Sequence, residues 1–183
     1  MTQTQLIAAI HARVHARAHA RDVRRAVARP KGRGNRRVPN RPASREEFVA
    51  LESSLGRPLP RLFRHLYARI GDGGFGPGYG LLPLANVQHE YLRFRRIYSW
   101  WPDAVVPVLE WGCGIFSCID SAGPFAPVLR YDPDMEEEQT RSVLGSAYIA
   151  PHLLPEAASF QGWLEAWLCG RPLFETPTED GHT

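Results

Sequence analysis

The residues of this chain whose types and spacing could do chemistry are a histidine series, a glycine-rich decapeptide, a cysteine pair and a run of acids. His11, His15 and His19 fall at i, i+4 and i+8 on one helix face, a spacing that could chelate a metal ion. No Asp, Glu or Cys joins them, so they read as a solvated helix face rather than a metal site. Residues 71–80, GDGGFGPGYG, place Gly71, Gly73 and Gly76 at G-x-G-x-x-G spacing. A dinucleotide motif follows a strand and opens a helix, whereas here a helix precedes and a short apolar run follows. Without a Lys-Ser/Thr pair it is not a Walker loop either, which leaves a turn-rich loop. Cys113 and Cys118 are five apart with no second pair, so packed thiols fit better than zinc. Asp132, Asp134, Glu136, Glu137 and Glu138 form an acidic cluster. A calcium loop opened by Asp132 would want Gly and Glu where Glu137 and Val143 stand. The cluster therefore reads as a solvated loop or as a patch for a basic partner. His65, His89 and His152 are scattered outside any nucleophile motif such as G-x-S-x-G. No catalytic residue, metal ligand or cofactor site is expected.

The elements that must position these residues centre on 105–120, VVPVLEWGCGIFSCID. Two apolar, β-branched runs, 105–110 and 115–120, are joined by Trp111-Gly112-Cys113-Gly114, whose glycines permit the positive φ angles of a tight hairpin. Both runs are too apolar to leave a face wet, so other elements must cover them. Pro107 cannot donate to a ladder and predicts an edge, a bulge or a strand start. Ser44-Arg45-Glu46-Glu47 is a capping box opening a helix through Phe48, Leu51 and Leu55, which Gly56 stops. Leu62, Phe63, Leu66, Tyr67 and Ile70 continue at helical spacing in a second helix that Gly71 ends. Residues 81–84 are expected as a short strand and Asn86 as the cap of a helix to about Phe94. Residues 127–132 supply another strand and 141–149 one more. Ser159 caps a last helix whose stripe of Phe160, Trp163, Leu164, Trp167 and Leu168 must dock onto the sheet.

Composition divides the chain. Apolar residues make up 44% and aromatics 10%, enough for a core. Residues 1–42 hold eleven of the 22 basic residues against Asp22 alone, a net charge of +10; the remainder, with 11 basic and 18 acidic residues, carries −7. The overall pI of about 9.0 describes neither part. Residues 4–29 are Ala- and Arg-rich with no Gly or Pro, so helix is their local preference, with Leu6, Ile7, Ile10, Val14, Val23 and Val27 as a thin apolar stripe. Residues 30–43 are Pro, Gly, Asn and Arg, a linker. The division expected is a basic arm and linker over 1–43, helical or disordered, a globule over 44–175 and a disordered tail over 176–183. No run approaches a membrane span, and the N-terminus lacks the apolar region of a secretory signal. Three cysteines favour a reducing cytoplasm. The arm could lie on a phosphate backbone or an anionic surface through residues 4–41.

The order of these elements resembles the SUKH superfamily, the Smi–Knr family of bacterial immunity proteins and fungal cell-wall regulators. The resemblance rests on Phe48, Leu51, Glu52 and Leu55-Gly56, on Leu59-Pro60, and on the glycine-rich loop with Leu81-Leu82-Pro83-Leu84. It continues through Glu110-Trp111-Gly112-Cys113-Gly114, Pro127-Val128 and the Phe160/Trp163-Leu164/Trp167 helix, and so spans 44–175. It implies a single α+β domain with a mainly antiparallel sheet flanked by helices. It implies a non-enzymatic role, in many bacterial members the binding and neutralising of a cognate toxin, often a nuclease. An acidic globule suits a nuclease's basic cleft, and complementary charge speeds encounter. On charge and expected exposure, the partner-binding residues are Asp72, Trp111, Asp132, Asp134, Glu136, Glu137 and Glu138. The alternative is a regulator that binds nucleic acid or an anionic surface through its basic arm.

Overall fold

The computed structural model describes residues 1–16, 40–135 and 150–173. Its centre is the expected hairpin, β1 (Val105–Gly112) and β2 (Ile115–Asp120), extended by β3 (Val128–Tyr131) and β4 (Leu153–Ala157). Among the described residues these form one sheet in the order β1-β2-β3-β4, antiparallel throughout. Gly112, Cys113 and Gly114 turn the hairpin with φ of 100°, 53° and 78°. Pro107 meets its expectation on two counts. β1 is an edge strand of this sheet, and its register with β2 slips between Pro107 and Leu109.

Alternation along the strands sends side chains to two cores. Val106, Ile119 and Val128 face one side with all five helices of the described residues: α1 (Gln3–His15), α2 (Arg45–Leu55), α3 (Arg61–Arg69), α4 (Leu84–Ile97) through Leu84, Val87 and Tyr91, and α5 (Phe160–Leu168). Val105, Cys118 and Leu129 face the other, with Phe94 from α4 stacked on Trp101 at 4.5 Å. The architecture is a single α+β domain. Local chemistry sets several helix ends. The Ser44 hydroxyl accepts from the Glu47 N–H, the Glu47 carboxylate accepts from the Ser44 N–H at 2.7 Å, and left-handed Gly56 closes α2. The Ser159 hydroxyl accepts from the Gly162 N–H at 3.0 Å to open α5.

The N-terminal stripe is less solvated than its sparse pattern implies. Leu6, Ile7, Ile10 and Val14 are buried in the main core. The chain's terminal ammonium pairs with Glu165 at 3.2 Å, Arg13 donates to the Leu168 carbonyl, and its guanidinium lies 4.9 Å from the Trp167 ring. The α5 stripe is thus shared: Phe160, Trp163 and Leu164 are buried in the core, while the partly exposed Trp167 meets α1. His11 and His15 are exposed with ring centroids 4.2 Å apart; His19 and residues 17–39 lie outside the described residues.

Two expectations are corrected. Residues 81–83 are not a strand: Leu81 bonds Phe75 and Gly74 of the glycine-rich loop through its N–H and carbonyl, Leu82 reaches β1 through its N–H while its carbonyl accepts from the Tyr67 hydroxyl, and Pro83 has no N–H to give. The next helix starts at Leu84, not after Asn86, because the Asp72 carboxylate accepts the Leu84 N–H at 2.7 Å. A cap supplied from twelve residues away leaves no local signature. The strand Leu153–Ala157 was not foreseen, its proline arguing against it, and the strand expected at 141–149 lies outside the described residues.

Candidate functional site

One end of the sheet gathers the distinctive side chains. The β1–β2 turn, the exit of β3 and the entry of β4 meet there. A Cβ built on Gly114 would lie 3.5 Å from the Pro133 ring, and the Asp132 N–H bonds the His152 carbonyl at 3.0 Å. The glycine-rich loop reaches the same end. Gly78, with φ of +53°, lies so close to the Trp111 indole that a Cβ would stand 2.7 Å from its ring. Only glycine serves here on both counts, positive φ and close approach. Tyr79 beside it is exposed, as are Cys113 and Asp134; Trp111 and Asp132 are half-buried.

Beneath this end a polar row crosses the face of the sheet that α5 covers. On β2, Phe116 and Cys118 point to the second core and Ile119 to the first, so Ser117 shares the face of Ile119. Leu109 and Arg130 are its register partners on either side. The Trp111 indole N–H donates to the Ser117 hydroxyl at 2.8 Å, and that hydroxyl donates to the Glu156 carboxylate on β4 at 2.7 Å. The other Glu156 oxygen accepts from the Trp163 indole N–H of α5 at 2.8 Å. Ser117 is 0% exposed, the one fully buried polar residue among those described. Burial pushes the Glu156 carboxyl above its ordinary 4.5, while the bonds from Ser117 and Trp163 and the charge of Arg130 pull it back.

The chemistry open to this row is positional. A hydroxyl bonded directly to a carboxylate lacks the imidazole that would take its proton, and this one is closed to solvent. Both Glu156 oxygens are committed to donors. His152 holds a left-handed backbone with φ of 62°, and its ring contacts are Trp100 at 5.7 Å and Tyr131 at 6.2 Å. His89 is exposed and His65 half-buried. Among the described residues no group of three or more His, Cys, Asp or Glu could hold a metal ion, and no helix is long and apolar enough to cross a membrane.

The residues expected to bind a partner fall into three sets. Trp111, Asp132 and Asp134 share the sheet end, where Asp132 also accepts the Asp134 N–H at 3.2 Å. Glu136, Glu137 and Glu138 lie outside the described residues. Asp72 has an internal task. It is half-buried, caps α4 through Leu84, and bonds Asn40 and Arg41 through its backbone. Burial raises its carboxyl, opposed chiefly by the Leu84 N–H. Tyr79, Ser117 and Glu156 went unremarked in the sequence. The glycines around Tyr79 were a signal that it is held at a loop surface; the pairing of Ser117 with Glu156 across 39 residues left none.

At the opposite end of β2, a groove of about 480 Å³ lies between Gln3, Pro60, Phe125, Phe160 and Gln161. Comparison with known proteins gives one family: the model of the SMI1 / KNR4 family (SUKH-1) matches residues 42–166. No curated protein matches the chain.

Proposed function

The chain belongs to the SMI1 / KNR4 family (SUKH-1), and from that premise we propose that it is a non-enzymatic immunity protein that binds and neutralises a cognate toxin in the cytoplasm. The observation that carries this reading is the sheet end itself. Exposed Tyr79, the clamped Trp111 and the carboxylates Asp132 and Asp134 stand together there, and Glu136, Glu137 and Glu138 follow directly in the chain. An aromatic anchor beside a patch of one charge suits a basic protein surface, such as the phosphate-binding cleft of a nuclease. The free thiols of Cys113, Cys118 and Cys169 accord with a reducing compartment. On this reading Asp72 supports the loop that carries Tyr79 and does not itself meet the partner.

The test uses the full-length chain against the polypeptide encoded beside it, with association and dissociation measured at two salt concentrations. Replacing Asp132, Asp134, Glu136, Glu137 and Glu138 by their amides should slow association about tenfold or more and flatten its salt dependence. Trp111→Ala should speed dissociation by a factor of about 30, the scale of a 2 kcal/mol anchor. Wild-type rates in both variants would sink this placement. Capture of RNA or anionic vesicles, with no toxin bound, would instead favour the basic N-terminal segment as the working part.

A further inference from the structure

We propose that Glu156 is a positioning residue for Trp111: acting through Ser117, it fixes the indole at the sheet end and locks that end to α5. Three observations carry the inference. First, the hydrogen bonds have one direction. An indole N–H can only donate, so Ser117 must turn a lone pair toward Trp111. It does so because its single proton is given to Glu156 at 2.7 Å. An ionised carboxylate only accepts, which holds the Ser117 rotor in that sense. Second, the indole is confined on another side by Gly78, where any side chain would collide with its six-membered ring. Third, the same carboxylate holds Trp163 at 2.8 Å, and Trp163 is 1% exposed in the main core. The hairpin end is therefore tied through two strands to a buried helix, not left to settle by itself.

Protonation of Glu156 would reverse the relay. A neutral carboxyl can donate to the Ser117 oxygen, whose own proton then needs a new acceptor, and the bond to Trp111 weakens. The groups facing Glu156 are Arg130 from β3, Ser117 from β2 and Trp163 from α5; Cys118, on the opposite face of β2, feels its charge through the sheet. The functional consequence rests on the proposed reading of Trp111 as the anchor: an indole held in one pose loses less freedom when a partner covers it.

The experiment follows the indole N–H signals of the ¹⁵N-labelled full-length chain, with Trp111 assigned by Trp111→Phe. Glu156→Gln should move the signals of both Trp111 and Trp163. Ser117→Ala should move Trp111 and speed its N–H exchange about tenfold, the factor one hydrogen bond carries. Ser117→Thr, which keeps the hydroxyl, should restore it. Should the variants unfold, the unaltered protein still decides: as pH falls, both indole signals should shift with a common midpoint. An indole signal of Trp111 indifferent to Glu156→Gln and to this titration would overturn the positioning role. Binding of the neighbour-encoded polypeptide separates the two readings. If Glu156→Gln moves the Trp111 signal but leaves that affinity unchanged, the positioning stands and Trp111 is not the anchor.

Discussion

Ile10→Ala is the most informative single change, because it asks whether a helix outside the family-matched residues belongs to the same cooperative core. Ile10 is 0% exposed and lies on the stripe with Leu6 and Val14. The truncation removes three carbons. At about 0.8 kcal/mol per buried methylene the transfer loss is about 2.4 kcal/mol. The cavity left behind raises such losses into a range of about 2–5 kcal/mol. Because α1 lies at the chain's end and can relax toward the gap, about 3 kcal/mol is expected. For a chain of this size each kcal/mol moves the midpoint by about 2–4 °C, so Tm should fall by roughly 6–12 °C. The neighbouring His11 is exposed, and His11→Ala should stay within about 0.5 kcal/mol. Urea unfolding followed by tryptophan fluorescence measures both, and Trp167 beside Arg13 reports on the α1 contact itself. Equal midpoints for Ile10→Ala and His11→Ala would refute the reasoning: α1 would then contribute nothing to global stability.

Four further outcomes are expected. Gly73→Ala should cost more than about 3 kcal/mol in thermal unfolding, since its Cβ would meet the Leu81 oxygen and Pro83 nitrogen at 2.6 Å, both backbone, at φ of +71°. Gly56→Ala, also left-handed but with nothing within 4 Å, should cost only about 1–2 kcal/mol. Cys113→Gly should stabilise by up to about 1 kcal/mol in the same assay, because glycine accepts φ of 53° without the strain a side chain meets there. The folded-state carboxyl of Glu156 is raised above 4.5, so its contribution to stability is full below 4.5 and is lost as pH rises through the raised value. Urea midpoints of wild type minus Glu156→Gln should therefore fall between acid and neutral pH; a pH-independent difference would contradict the shift.

The features legible in the sequence are those whose cause is local. Ser44 with Glu47, Ser159 before an apolar stripe, and Pro107 in the hairpin each act on neighbours within a few residues, and each does in the structure what its type predicts. The causes that were missed act across distance. Leu84 starts a helix because of Asp72, and Leu153–Ala157 becomes a strand because β3 offers it a ladder, proline notwithstanding. The thin stripe of α1 is buried because α3 and α5 leave apolar side chains for it to cover. Trp111 was legible as an aromatic at a turn. Its indole partners were not, since Ser117 reads as one polar residue in an apolar strand and Glu156 as an acid beside a proline.

Both outer strands of the described sheet carry a proline, Pro107 in β1 and Pro155 in β4. Each removes an N–H from a border along which another chain could otherwise add itself, and Leu82 already occupies one acceptor of β1. Assembly by strand addition is thereby discouraged, both with copies of the same molecule and with a partner. What the molecule can offer another protein is then side chains, those held on connections among them. Those can change from one lineage to the next without disturbing the ladder beneath, so a scaffold of this kind can be retained while its choice of partner drifts.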